Sequence, residues 1–232
     1  MNKHLLIIPL FNEGEYIQDV ISKVRDNFSG TILAINDGST DNSGEILRKI
    51  KDIKVIEQKE NCGYGCALME GFNHAIENHY EIAVTMDCDD QHEPCLIPNF
   101  LQEIANYDVV SGSRYLRNFS SPFEDPPPDR KRINQEITVL INQHTGYNLT
   151  DTFCGFKAYK VFAIKKLNLD EPGYAFPLQL WIQAKKKGLI IKEIPVDLIY
   201  KNLNRTFGSN LDNPSSRKKY YLSVIERELS LP

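Results

Sequence analysis

The chain has 232 residues, enough for one large domain or a domain with a small annex. Its 41% hydrophobic and 25% charged residues are ordinary for a soluble globular protein. With 27 Lys and Arg against 31 Asp and Glu the net charge is -4, which argues against a whole-surface field for nucleic acid, and an apolar run of about 18 residues, as a membrane span needs, is absent.

The amino terminus passes from Met1-Asn2-Lys3-His4 straight into a short apolar run at 5–9, too short for a signal peptide, so the chain is expected in the cytoplasm. That run predicts a first strand, ended by the turn Phe11-Asn12-Glu13-Gly14-Glu15. Tyr16, Ile17, Val20, Ile21 and Val24 then recur at helical spacing, giving an amphipathic helix to about Phe28. Residues 31–35 predict a second strand, stopped by Asn36-Asp37-Gly38-Ser39. Thr40 or Asp41 can cap the helix that carries Ile46, Leu47 and Ile50. Residues 53–56 read as a third strand, and Asn61-Cys62-Gly63-Tyr64-Gly65 opens a helix through Leu68, Phe72 and Ile76. The glycine run lacks a Gly-Lys-Ser/Thr ending and the dinucleotide spacing, so a phosphate loop is a poor reading; glycines that let a helix start pack near a ligand fit better. An odd count of five cysteines suits reduced thiols, and the Cys62/Cys66 and Cys88/Cys95 spacings do not resemble a zinc pair, so all are read as packing residues.

Residues 82–85 predict a fourth strand, followed by Met86-Asp87-Cys88-Asp89-Asp90-Gln91-His92-Glu93-Pro94, with Pro94 suited to a helix's first turn. In an extended chain Asp87, Asp89 and Gln91 share one face and Asp90 points the other way. Three oxygen side chains at a strand's carboxyl end suit a hard divalent cation that also holds a substrate phosphate. For a lone Asp-x-Asp, a solvated turn is the better reading, so the other turns have to decide. A further strand ends at Ser111-Gly112-Ser113-Arg114, and residues 119–129, with Pro122, Pro126, Pro127 and Pro128, predict an exposed loop over the crevice. Beyond it come a helix over 130–144, a turn into a short strand over 151–159, a helix over 176–187 and a strand over 189–200 broken at Pro195. A last helix, started by Asn213-Pro214, bears Tyr220, Tyr221, Val224, Ile225 and Leu229. Strand and helix alternate, so the fold class is α/β, with a mostly parallel central sheet flanked by helices in a single domain. Ligands of such sheets bind beyond the carboxyl ends of the strands, where residues 9–13, 36–39 and 87–91 all lie.

Taken together these turns resemble the family-2 glycosyltransferases with the GT-A fold, a Rossmann-like arrangement. The nearer likeness is to polyprenyl or dolichyl phosphate sugar synthases of the dolichol-phosphate mannose synthase type. The matching residues are Ile8-Pro9-Leu10-Phe11-Asn12-Glu13, Asn36-Asp37-Gly38-Ser39-Thr40-Asp41, Asn61-x-Gly63-x-Gly65, Asp87-x-Asp89-x-Gln91-His92-x-Pro94 and Ser111-Gly112-Ser113-Arg114-Tyr115. Asp151-x-x-x-Gly155-Phe156 and Asn204-Arg205-Thr206-Phe207-Gly208 follow, so that the likeness spans roughly residues 4 to 215. Each motif is weak alone, and their order and spacing make the set strong.

The resemblance implies a nucleotide-sugar half over 1–114 and an acceptor half over 115–232. It implies that Glu13 and Asp37 grip the donor nucleotide, with Pro9 and Phe11 walling the base and Cys88 beside them. Asp87, Asp89 and Gln91 then hold Mg²⁺ or Mn²⁺ against the diphosphate of a GDP-mannose or UDP-glucose type donor. Arg114, Arg130 and Arg205 are the candidates for an acceptor phosphate, whose oxygens match planar guanidinium forks. Asp89, Arg114, Arg205 and Asp151 make up the expected catalytic set. An anionic phosphate nucleophile needs no general base, whereas a hydroxyl acceptor does, and Asp151 is the carboxylate expected for that role. The implied reaction is inverting transfer of a sugar, mannose or glucose first, to polyprenyl phosphate. The alternatives are the same fold acting on a soluble or glycan hydroxyl, and a nucleotide-sugar-binding module without turnover. A nucleotidyltransferase is disfavoured because a glycine-rich, basic start is absent after Ile8. Where the synthases follow Arg-x-x-Gly with Ser-Lys, this chain has Gly208-Ser209-Asn210-Leu211, and Arg217 or Lys218 is expected to substitute. A lipid acceptor also calls for peripheral contact at the inner face of the membrane. The basic and aromatic helix over 217–229 either lies on a bilayer or covers a sheet face.

Overall fold

The computed structural model describes residues 3–116, 126–200 and 206–231. Among them seven strands form one sheet: β1 (His4–Leu10), β2 (Thr31–Asn36), β3 (Lys54–Glu57), β4 (Ile82–Thr85), β5 (Val109–Ser113), β6 (Lys157–Lys160) and β7 (Ile191–Pro195). Their order is β3-β2-β1-β4-β6-β5-β7, with β6 antiparallel to both neighbours and every other pairing parallel. The helices are α1 (Ile17–Asn27), α2 (Ser43–Lys49), α3 (Tyr64–Glu77), α4 (Ile97–Glu103), α5 (Pro128–Thr145), α6 (Val161–Ile164), α7 (Phe176–Lys186) and α8 (Pro214–Ser230).

Apolar residues on both faces of the strands bury the sheet from two sides, which is why β1 reads as a continuous apolar run rather than an alternation. Leu5 and Ile7 pack with Phe72, Phe176 and Trp181 on one side, while Leu6 and Ile8 pack with Ile17, Val24 and Phe100 on the other. Each such fully buried side chain contributes roughly 1.5–3 kcal/mol. Strand β1 pairs with β2 on one edge and β4 on the other, so the sheet's order reverses there and a crevice opens at the carboxyl ends.

Three expectations change. Pro128 and Asp129, expected in a loop, begin α5, with Pro128 in its first turn, where a missing N–H costs nothing. The rest of the proline-rich stretch, through residue 125, lies outside the described residues. The strand over 189–200 shortens to β7, which ends at Pro195 opposite Ser113, the last residue of its partner β5; as β7 is an edge strand, the missing proline N–H breaks no ladder bond. Helix α8 begins as read, with Asn213 Oδ1 accepting from Ser215 N (3.0 Å) and Ser216 N (3.1 Å). Its Tyr221, Val224 and Ile225 are buried in the core shared with α5 and α7, so this apolar face is not offered to a bilayer. Among the described residues no helix is long and apolar enough to cross a membrane. Of the cysteines only Cys88 and Cys154 are buried packing residues; Cys62 and Cys95 are exposed.

Candidate active site

A cavity of about 830 Å³ opens at the carboxyl ends of β1, β2, β4 and β5, and its far wall comes from α5, the 173–177 turn and the start of α8. The turn after β1 supplies Pro9, Phe11 and Glu13 to it. Asn12 between them adopts a left-handed φ of 57°, which Asn tolerates better than most residues. Its Oδ1 accepts from Thr40 N (2.8 Å) and Asp41 N (3.2 Å), and its N–H donates to Ser39 Oγ (2.9 Å). Glu13 N donates to the buried Ser43 Oγ at 3.0 Å. These bonds stitch the β1 turn to the β2 turn. They leave Phe11 exposed at the rim while Glu13 is buried.

Asp37, at the end of β2, is 3% exposed and accepts from Cys62 N (2.8 Å) and Gly63 N (2.9 Å), one bond per carboxylate oxygen. It therefore shapes the turn before α3 and also lines the cavity. The glycines of that turn answer to a different neighbour than the sequence suggested. A Cβ on Gly63 (φ 107°) would come within 2.5 Å of Pro172 O, and one on Gly65 would overlap Glu171 O. Both are needed for the 171–173 segment to pack on the helix start, where Cys66 N donates to Pro172 O at 3.1 Å.

Beyond β4 the chain turns rather than staying extended. Asp89 Oδ1 accepts from Gln91 N (3.1 Å), and Asp90 takes a left-handed φ of 56°. The turn still brings Asp87, Cys88, Asp89 and Gln91 to the cavity. Asp90 turns to Lys23, at 3.0 Å. Asp87 is held on three sides. Tyr64 OH donates to its Oδ1 (3.1 Å), its own N–H donates to Nδ1 of buried His92 (3.2 Å), and a Cβ on Gly155 would collide with its carboxylate. Among the described residues no group of three or more His, Cys, Asp or Glu side chains could hold a metal alone. Two carboxylates and the Gln91 amide on one cavity wall nonetheless fit a hard cation whose remaining ligands are water and substrate phosphates.

The expectation for Asp151 fails. It is fully buried, accepting from Arg114 Nε (2.6 Å), Arg114 Nη2 (2.9 Å), Asn134 Nδ2 (2.9 Å) and Phe153 N (3.1 Å). Burial alone raises a carboxyl pKa, but the guanidinium and the Asn134 amide outweigh it and bring Asp151 to about 2. A carboxylate so saturated and so weakly basic cannot take a proton from a hydroxyl. Its role is to orient Arg114, which does line the cavity.

Arg130 and Arg217 line the same cavity from the first turns of α5 and α8. Arg217 is 2% exposed, donating to Asp129 Oδ2 (2.5 Å) and Leu211 O (2.9 Å). Lys218, the other substitute considered, pairs instead with Glu136 at 2.7 Å. Arg205 lies outside the described residues. Tyr64, Tyr174 and Phe207 also line the site. Their aromatic side chains carry no signal in a local pattern that separates a cavity wall from a core. Buried Lys157 bonds Cys154 O and lies 5.5 Å over the Trp181 ring, behind the site.

Comparison with known proteins gives a match of residues 5–167 to the family model Glycosyl transferase family 2. An undecaprenyl-phosphate mannosyltransferase of Micrococcus luteus is 29% identical over 210 residues, covering 87% of this chain and 86% of that protein. A UDP-N-acetylglucosamine–dolichyl-phosphate N-acetylglucosaminyltransferase of Methanococcus voltae is 30% identical over 226 residues, covering 89% of each. The structure of glucosyl-3-phosphoglycerate synthase from Mycobacterium tuberculosis with UDP superposes with a TM-score of 0.76 at 18% identity, covering 99% of this chain and 80% of that one. That last likeness establishes the shared fold.

Proposed function

The chain belongs to glycosyl transferase family 2, and from that membership we propose that it moves a sugar from a nucleoside diphosphate to the phosphate of a polyprenol, with inversion and with a divalent cation. Relatives of nearly full coverage are named for transfer to undecaprenyl or dolichyl phosphate. Mannose, glucose and N-acetylglucosamine are the sugars to test, since one relative is a mannosyltransferase, another an N-acetylglucosaminyltransferase, and a structural neighbour was solved with UDP-glucose and Mn²⁺.

One observation carries the reading. A single cavity has carboxylates on the walls from β1, β2 and β4, guanidiniums on the walls from β5, α5 and α8, and no free base at Asp151. Glu13 and Asp37 accept hydrogen bonds from donor base or ribose groups, Asp37 with the lone pairs its backbone partners leave. Asp87, Asp89 and Gln91 are the residues that would hold Mg²⁺ or Mn²⁺, which when bound supplies Lewis-acid stabilisation of the leaving diphosphate. Arg114, Arg130 and Arg217 hold the acceptor phosphate, with Arg205 beside them by family resemblance. The bond formed joins an acceptor phosphate oxygen to the anomeric carbon; the bond broken joins that carbon to the donor diphosphate. The nucleophile is already anionic, so no proton has to be removed, which suits the Arg114–Asp151 lock. A hydroxyl acceptor would need a base that Asp151 cannot be.

The test is a panel of GDP-mannose, UDP-glucose and UDP-N-acetylglucosamine, each radiolabelled, with undecaprenyl phosphate and Mn²⁺. Label entering the organic phase from one donor is the expected result. Hydrolysis alone with every donor would contradict the proposal.

A further inference from the structure

Arg130 and Arg217 both sit in the first turns of helices, the positive ends of the helix dipoles, where a cation is disfavoured. Both also meet the same aromatic ring there. The Arg130 guanidinium lies 4.6 Å from the centroid of Phe207 and that of Arg217 lies 4.5 Å from it. Tyr174 meets the same ring edge-on at 5.3 Å and stacks at 5.9 Å on Tyr64, the residue whose hydroxyl reaches Asp87. Ring contacts thus run across the cavity from the acidic wall to the basic one. Asp129 offsets part of the charge of Arg217. A π face orients a guanidinium without neutralising it.

We propose that Phe207 is a positioning residue for the acceptor: its ring sets the Arg130 and Arg217 guanidiniums so that both face one phosphomonoester. This rests on the phosphate-acceptor reading above. The arrangement recognises the phosphate itself, whether it ends a lipid or a soluble molecule.

Phe207→Leu keeps the apolar bulk and removes the π face, while Phe207→Trp restores it. Binding of geranyl phosphate and of glycerol 3-phosphate is titrated on the full chain with Mn²⁺ and GDP or UDP present, and GDP and UDP affinities are measured separately. The expected result is about tenfold weaker binding of both phosphates to Phe207→Leu, recovery with Phe207→Trp, and nucleotide affinity unchanged within about twofold. In turnover, the acceptor KM rises while kcat stays within about twofold. Wild-type affinity in Phe207→Leu would overturn the proposal, as would a parallel loss of nucleotide affinity, which marks a scaffold role. Weakening in the geranyl arm alone would also overturn it, because the lost contact would then be with hydrocarbon. If the wild-type chain binds neither phosphate, the acceptor reading fails and this inference falls with it. That outcome is distinct, since Phe207→Leu then has nothing to weaken.

Discussion

At the scale of single residues, the outcome turns on what each carboxylate already holds. Asp89 accepts from Gln91 N in a turn on the cavity wall, beside Asp87 and Gln91. Asp89→Ala should lower transfer by at least about a hundredfold, the loss of several kcal/mol of charge stabilisation, while the melting temperature moves by less than about 2 °C. Equal losses of activity and thermal stability would argue against a ligand role. Asp151 is the opposite case. Asp151→Asn leaves a partly buried guanidinium without its counter-charge and should cost at least about 2 kcal/mol in denaturant unfolding, short of the roughly 3–5 kcal/mol of a fully buried pair. Its carboxyl falls from the ordinary 3.8 to about 2 in the fold. A lowered folded-state pKa gives stability that is present above pH 4 and lost as pH falls toward 2, here about 2 kcal/mol. The Asn variant should lack that part of the acid slope, and an unchanged slope would contradict the lock. The sequence showed Asp151 as a candidate base because its partner, Arg114, is 37 positions away; a local pattern reports a carboxylate, not what saturates it.

Elements were more legible than their pairings. The apolar runs of β1, β2 and β4 and the helical spacing of α1 and α3 follow from burial periodicity, and Asn213-Pro214 states the start of α8 outright. The direction of β6 does not follow from pattern. It runs antiparallel between β4 and β5, and its four residues read the same in either sense. Nor does a sequence show why Gly155 is bare. The turn leading into β6 presses it against Asp87, so Gly155→Ala should displace that carboxylate and weaken Mn²⁺ binding about 10- to 100-fold. Calorimetric or paramagnetic titration of Mn²⁺ checks this, with wild-type affinity as the contrary result.

The whole molecule divides its charges by origin. Carboxylates come to the cavity from the β1, β2 and β4 ends, and guanidiniums from β5, α5 and α8, so the chain folds an acidic wall against a basic one. The acidic wall was readable because its residues fall at strand ends within short motifs. On the basic wall Arg114, Arg130 and Arg217 were all named from the sequence, but the choice between Arg217 and Lys218 was left open, and that Phe207 lies against two of these guanidiniums is a tertiary contact that no local pattern reports. If the phosphate is the nucleophile, kcat/KM for the acceptor should rise through its second ionisation near about pH 6 and then stay flat. A protein base titrating above that would bend the profile elsewhere. The central claim is tested most directly by offering one labelled nucleotide sugar, with Mn²⁺, to undecaprenyl phosphate and to undecaprenol in parallel. The account predicts label in the phosphate-bearing lipid alone; comparable labelling of the free alcohol would contradict it.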